Sequence, residues 1–254
     1  MKKILTKVLA LTVIASMAFA FAGCSKKKLV EKGKLIMATN AYFPPYEYYD
    51  GTTIVGIDAE IAQAIADDLG LELEIVDVEF DSIIAGVQAG KYDIGMAGMT
   101  VTDERKQSVN FTASYATGIQ SVIVTEDSPI TSVEDLIDSD YVVGVQQGTT
   151  GDIYMTDEVG DDRIDRYSKG NDAVLALTQG KVDAVVIDNQ PAIAYVAANE
   201  GLKILDTPYA IEDYAICVRL DNDELLSDID ASLAKLQADG TIDAIISKYI
   251  PADS

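Results

Sequence analysis

The chain has 254 residues with 19 basic and 42 acidic side chains, a formal net charge of −23, two cysteines and no histidine. Such an acidic balance argues against nucleic-acid binding. Without histidine, a Ser-His-Asp or Cys-His nucleophile and a His-ligated zinc are excluded.

The first residues combine Lys2, Lys3 and Lys7, an apolar stretch from Val8 to Ala22 and small residues before Cys24, the layout of an export signal over 1–23. The stretch is shorter than the ~20 residues of a membrane span. Phe21-Ala22-Gly23-Cys24 resembles a bacterial lipobox, with Phe21 where Leu is more usual, so Cys24 is expected to become the lipidated first residue of the mature chain. Residues 24–33 then form a linker, and Ser25-Lys26-Lys27-Lys28 would lie against anionic headgroups. With Cys24 lipidated, Cys217 is expected to pack as a small apolar residue in a strand.

From Leu35 onward short apolar strands alternate with helical periods. Leu35 to Ala38 reads as a strand. Asp58 is expected to cap a helix that carries Ile61, Ile65 and Leu69 on one face and ends at Gly70. A strand from Leu73 to Val78, a helix from Asp81 to Ala89 and a strand from Tyr92 to Met96 complete a βαβαβ order, which implies parallel strands covered by helices.

The nine residues from Ala97 to Arg105 follow that last strand. Thr102 reads as a helix cap with an acidic first turn in Asp103 and Glu104. Gly98 allows close backbone approach, Thr100 adds a hydroxyl, and Arg105 supplies a planar fork that matches a carboxylate. Together they suit a small anion.

The second half repeats part of the first. Asp81 to Asp93 matches Asn171 to Asp183 at an offset of 90 residues, each copy reading cap, apolar helix, Gly-Lys-x-Asp turn and buried strand. The turn itself reads as structural, with glycine as helix terminator and lysine complementing the helix C-terminus. Two α/β lobes of one plan would face the ends of equivalent strands, Ala97 to Thr100 and Ile187 to Gln190, across a cleft, and ligands of open α/β sheets bind at such carboxyl ends. Lobe 1 is expected to comprise 34–119 plus 213–254 and lobe 2 residues 120–212. Glu224 to Tyr249 reads as two helices broken at Asp239-Gly240 and packed on lobe 1.

A free α-amino acid needs a cation for its carboxylate, an anion for its ammonium and walls for its side chain. Arg105 with Thr100 and Gly98 serves the first. Asp188, at the equivalent strand end of lobe 2, serves the second. A glycine-flanked pair, Thr149-Thr150, opens a helix after the strand Val142 to Val145 and adds donors. Phe43 and Phe80, both after strands, would sandwich the side chain, whereas Tyr42, Tyr46, Tyr48 and Tyr49 around Pro44-Pro45 read as packing.

These features resemble the polar amino-acid-binding proteins of ABC importers, solute-binding family three, over about Lys34 to Ile250. The most specific pieces are Phe43-Pro44-Pro45-Tyr46-Glu47, Gly56-Ile57-Asp58, Phe80-Asp81, Gly90-Lys91-Tyr92-Asp93, Ala97 to Arg105, Gln147-Gly148-Thr149-Thr150 and Asp188. The resemblance implies a periplasmic-binding-protein-like α/β fold, with two lobes, each a mixed and mostly parallel sheet flanked by helices, joined by a two-strand hinge. It implies that Gly98, Thr100, Arg105 and Thr150 hold a carboxylate, Asp188 the ammonium, and Phe43 and Phe80 the side chain. Ala97, Gln146 and Thr149 add lining. Asn40 stands where relatives that take basic or polar ligands often carry an acid, which leaves glutamine, arginine, lysine, histidine and cystine open. The expected protein is an exported, lipid-anchored monomer, working with a membrane permease and needing no cofactor. A dehydratase on the same fold, or a sensor domain acting with a partner, is the alternative.

Overall fold

The computed structural model describes residues 29–206 and 209–251. The expected signal, Cys24 and Ser25 to Lys28 lie outside the described residues.

Two lobes, each built on a mixed sheet, make up the protein. In the first, Lys34–Thr39 runs parallel to Glu72–Asp77 and to Ile94–Gly95, while Cys217–Arg219 and Val109–Phe111 extend the sheet antiparallel. In the second, Val143–Gln146 is flanked in parallel by Ile164–Tyr167 and Ala184–Asp188, and the long strand Ala116–Thr125 follows antiparallel. Parallel pairs come from the strand-helix-strand units; the strands that link the lobes pair antiparallel. The first half of Ala116–Thr125 pairs with Ala210–Tyr214, and its second half belongs to the second sheet beside Leu202–Ile204. The chain thus passes between the lobes on two adjacent strands.

The helix Ile57–Leu69 forms on the expected apolar spacing. Ile57, Ile61 and Ile65 are fully buried, packed in one cluster with Leu225, Ile229 and Leu233 of the helix Asp223–Ala238. Gly70 ends it in the left-handed conformation at φ 67°, as its missing Cβ permits. The second C-terminal helix, Thr241–Tyr249, follows Gly240, and Lys248 and Lys235 pair with Glu60 and Asp68 on the first helix.

Three local expectations are corrected. Asp58 does not cap its helix: Gly56 occupies that position, and the Asp58 side chain is buried in the first turn, where it accepts hydrogen bonds from outside the helix. The strand expected over Tyr92 to Met96 is confined to Ile94–Gly95, flanked by bonds from Asp93 N to Ile36 O and Met96 N to Ala38 O, because the backbone turns off at Gly98 with φ 51°. Beyond Thr102 there is a single 3₁₀ turn, Arg105–Gln107, since Val109–Phe111 returns the chain to the sheet before a helix can propagate. Glu104 rather than Thr102 holds the cap position of that turn, and the Thr102 hydroxyl accepts from Arg105 N at 3.1 Å.

The repeated Gly-Lys-x-Asp turn is one device used twice. Gly90 and Gly180 both sit at positive φ, 68° and 64°, after the helices Ile83–Gln88 and Gly170–Thr178. Each aspartate then clasps the start of the neighbouring parallel strand. Asp93 accepts from Ile36 N and Val30 N, both at 2.8 Å, and Asp183 accepts from Val142 N at 2.8 Å. The clasps hold the equivalent strands in register, so that both point their carboxyl ends at the space between the lobes.

Candidate ligand-binding cleft

All eleven residues singled out in the sequence, Asn40, Phe43, Phe80, Ala97, Gly98, Thr100, Arg105, Gln146, Thr149, Thr150 and Asp188, line one narrow cavity between the lobes, and Glu47 joins them. The first lobe supplies one wall and the second the other.

Arg105 is brought in by the 3₁₀ turn and lies buried, its guanidinium stacked 5.4 Å from the centre of the Phe80 ring. Nη1 donates to Thr100 O at 2.7 Å and Nη2 to Gly148 O at 3.1 Å, so the side chain spans both lobes. Among the described residues it has no carboxylate within ion-pair distance. Burial draws its pKa below the ordinary value, and nearby Glu212 opposes that shift. A buried guanidinium fixed by two neutral carbonyls is an incompletely neutralised cation, suited to an entering anion.

Gly98 serves differently from expectation. Its own N–H is committed to Asp58 Oδ2 at 2.8 Å, and a Cβ there would lie 2.8 Å from the Phe43 ring. The glycine therefore lets an aromatic wall lie against the loop, and Asp58, also bonded by Tyr115 Oη at 2.9 Å, fixes the loop from behind.

From the second lobe, Thr149 caps the helix Thr150–Val159, accepting from Asp152 N at 3.3 Å while its hydroxyl donates to Gln146 O at 2.8 Å. Thr150, in the first turn, lies with Oγ1 3.5 Å from Thr100 Oγ1. The hydroxyl pair thus closes across the cleft beside Arg105. At the other end Gln146 Nε2 donates to Asn40 Oδ1 at 2.9 Å and to Ser168 O at 3.1 Å, and Asn40 Nδ2 donates to Val78 O at 2.7 Å. Outside the cavity Gln147 donates to Asp81 at 2.7 Å and Tyr195 Oη donates to Tyr42 O. Lys169 lies 3.6 Å from the centre of the Tyr42 ring, so the aromatic loop read as packing also carries contacts between the lobes.

Asp188 ends the strand Ala184–Asp188 and stands at the start of the helix Asn189–Ala198, which takes up the residues expected to prolong the strand end to Gln190. It accepts a hydrogen bond from Tyr214 Oη. Gly118 makes room for that hydroxyl: a Cβ there would sit 2.2 Å from it. Burial above all, then the charge of Glu212, raises the Asp188 pKa to about 7, against the pull of the Tyr214 hydrogen bond. A carboxylate so poised is stabilised by an incoming cation.

A model of the bacterial extracellular solute-binding proteins, family 3, matches residues 35–252. The chain belongs to that family. The arginine-binding extracellular protein ArtP of Bacillus subtilis is 32% identical over 97% of this chain and 99% of its own. An ancestral arginine-binding protein solved bound to glutamine superposes with a TM-score of 0.82 at 38% identity, over 87% of this chain and 99% of that one. The arginine-, lysine-, histidine-binding protein ArtJ of Geobacillus stearothermophilus gives 0.81 at 31% identity, over 85% and 95%.

One wall residue of this family 3 solute-binding protein escaped the sequence reading. Glu47 belongs to the motif Phe43 to Glu47, but nothing in its local sequence directs its carboxyl group to the site. It is fully buried, and its carboxyl group shares a hydrogen bond with the Asp58 side chain, while no N–H or hydroxyl donor of the described residues reaches it. Burial, then the Asp58 carboxylate beside it, raises its pKa well above the ordinary range, while Asp58 itself is raised by burial to about 6. Its place in the cavity wall makes it a candidate for the site.

Proposed function

We propose that this solute-binding protein captures a basic L-amino acid, arginine above all, between its lobes. The observation that carries the reading is the charge pattern of one cavity: a guanidinium and two carboxylates with no ion-pair partner among the described residues. Arg105, with the Thr100 and Thr150 hydroxyls, receives the α-carboxylate, and Asp188 the α-ammonium. That leaves Glu47 for a positive charge on the ligand side chain, held between Phe43 and Phe80. Asn40 offers an amide where relatives often carry an acid; Glu47, seven residues on, supplies the acid instead. The names of the arginine-binding relatives support this choice of ligand.

In this mechanism the lobes, 34–119 plus 213–254 and 120–212, rotate about the two linking strands, and ligand contacts to both walls favour the closed form by differential binding. Release to an ABC importer's permease reverses the motion. Anchoring through Cys24 keeps the receptor on the outer face of the membrane. The reading needs no turnover: Arg105 and Asp188 grip groups that leave unchanged.

Calorimetry with arginine, lysine, glutamine and cystine tests the assignment. Arginine is expected to bind tightest, and Glu47→Gln to weaken arginine by at least about tenfold while sparing glutamine, because one member of a buried charge pair is removed. Glutamine or cystine binding more tightly than arginine would overturn the reading of Glu47, and conversion of prephenate or arogenate would overturn the reading as a receptor.

A further inference from the structure

Glu212 lies on the linking strand Ala210–Tyr214, behind the Arg105 side of the cavity and outside its lining. The strand's alternation is inverted there: Ile211 is 75% exposed while Glu212 is 4% exposed. Burial of a carboxylate in preference to an isoleucine costs stability unless the charge is used. Its Oε2 accepts from Thr100 Oγ1 at 3.1 Å and from Gln120 Nε2 at 3.0 Å. Gln120 also reaches Thr150 Oγ1, at 3.4 Å. The carboxylate is therefore one hydroxyl removed from the place assigned to the ligand's own carboxylate.

We propose that Glu212 is a resident counter-ion that limits how tightly the receptor holds its ligand. It supports the Arg105 charge when the cleft holds no ligand. When a ligand enters, it repels the α-carboxylate and competes for the Thr100 hydroxyl, which has a single proton to donate. The pairing keeps a buried guanidinium tolerable without cargo and makes capture reversible enough for cargo to be handed on. This inference rests on the reading that Arg105 and Thr100 take the ligand's carboxylate.

The test measures binding of arginine and of its neutral α-carboxamide to the full-length protein, together with the melting temperature without ligand. Glu212→Gln is expected to tighten arginine roughly fivefold to tenfold, as removal of a nearby like charge should, to leave the carboxamide unchanged, and to lower the melting temperature. Glu212→Asp, which keeps the charge, should retain the wild-type preference between the two ligands. Gln120→Met strips Glu212 of its amide donor and leaves the carboxylate more dependent on Thr100; it should weaken arginine and spare the carboxamide, and it decides the matter if Glu212→Gln does not fold. A merely structural Glu212 would give weaker binding of both ligands in Glu212→Gln, and that result overturns the proposal. Equal binding of arginine and carboxamide to the wild type would instead remove the carboxylate reading on which it rests.

Discussion

The two copies of the Gly-Lys-x-Asp turn launch equivalent strands toward the same cleft, yet the strands end in opposite chemistry. After Ile94–Gly95 the chain breaks at Gly98, passes Thr100 and returns with Arg105, a cation held by backbone carbonyls. After Ala184–Asp188 a helix begins at once, and the last strand residue itself presents the acid, whose carboxylate accepts from the Tyr214 hydroxyl. A common scaffold therefore sets where charge is presented, and the few residues after each strand set its sign. The loop version is fixed from behind by a second carboxylate, Asp58; the strand-end version is held by Tyr214 in the space left at Gly118 and by Gln120.

The largest blow to this pairing is expected from Arg105→Ala. Removing a buried, charge-assisted bidentate contact should lower amino-acid affinity about 100-fold or more by calorimetry, with little dependence on which amino acid is offered. Asp188→Asn should cost less, about tenfold, because the amide still accepts a hydrogen bond from the ammonium. It should also remove a pH dependence: wild-type affinity should fall as pH drops through about 7, where Asp188 takes up a proton. The same group bears on folding. Its pKa is raised in the folded state, so its contribution to stability without ligand is fully present below the ordinary aspartate range and lost as pH rises through about 7. Melting temperatures of wild type and Asp188→Asn across that window should converge at the acid end. The smallest effects on binding belong to the clasps. Asp93→Ala, which strips two backbone N–H groups of their acceptor, should destabilise by about 2 kcal/mol, and Asp183→Ala, which strips one, by about 1 kcal/mol, each leaving relative affinities among amino acids unchanged in denaturant and binding assays.

Much of this comparison was legible in the sequence because it is written in local signals. Glycine terminators, apolar spacing on Ile57–Leu69 and the repeated turn locate the helices and strands without tertiary knowledge. Gly98, Thr100, Arg105, Asp188, Phe43 and Phe80 followed because strand ends are where such sheets present side chains, whereas Asn40, Ala97 and Gln146 came with the family resemblance. What escaped depends on partners distant in sequence. Asp58 sits at a helix start, where any aspartate reads as a cap, but its acceptors are claimed by Gly98 and Tyr115. Glu212 is invisible to patterning because Ile211 beside it faces solvent, the reverse of what hydropathy dictates. Glu47 lies among tyrosines, and only the cavity gives its carboxyl group a direction.

The neighbouring acids Glu47 and Asp58 have a consequence for the chemistry of uptake. Burial and the Asp58 carboxylate favour the protonated form of Glu47, whereas a cation beside it would favour the charged form. On the reading proposed above, the arginine side chain is such a cation and its α-ammonium is another beside Asp188, so capture and proton release are linked. The measured heat of binding should then change with the ionisation enthalpy of the buffer that takes up the protons.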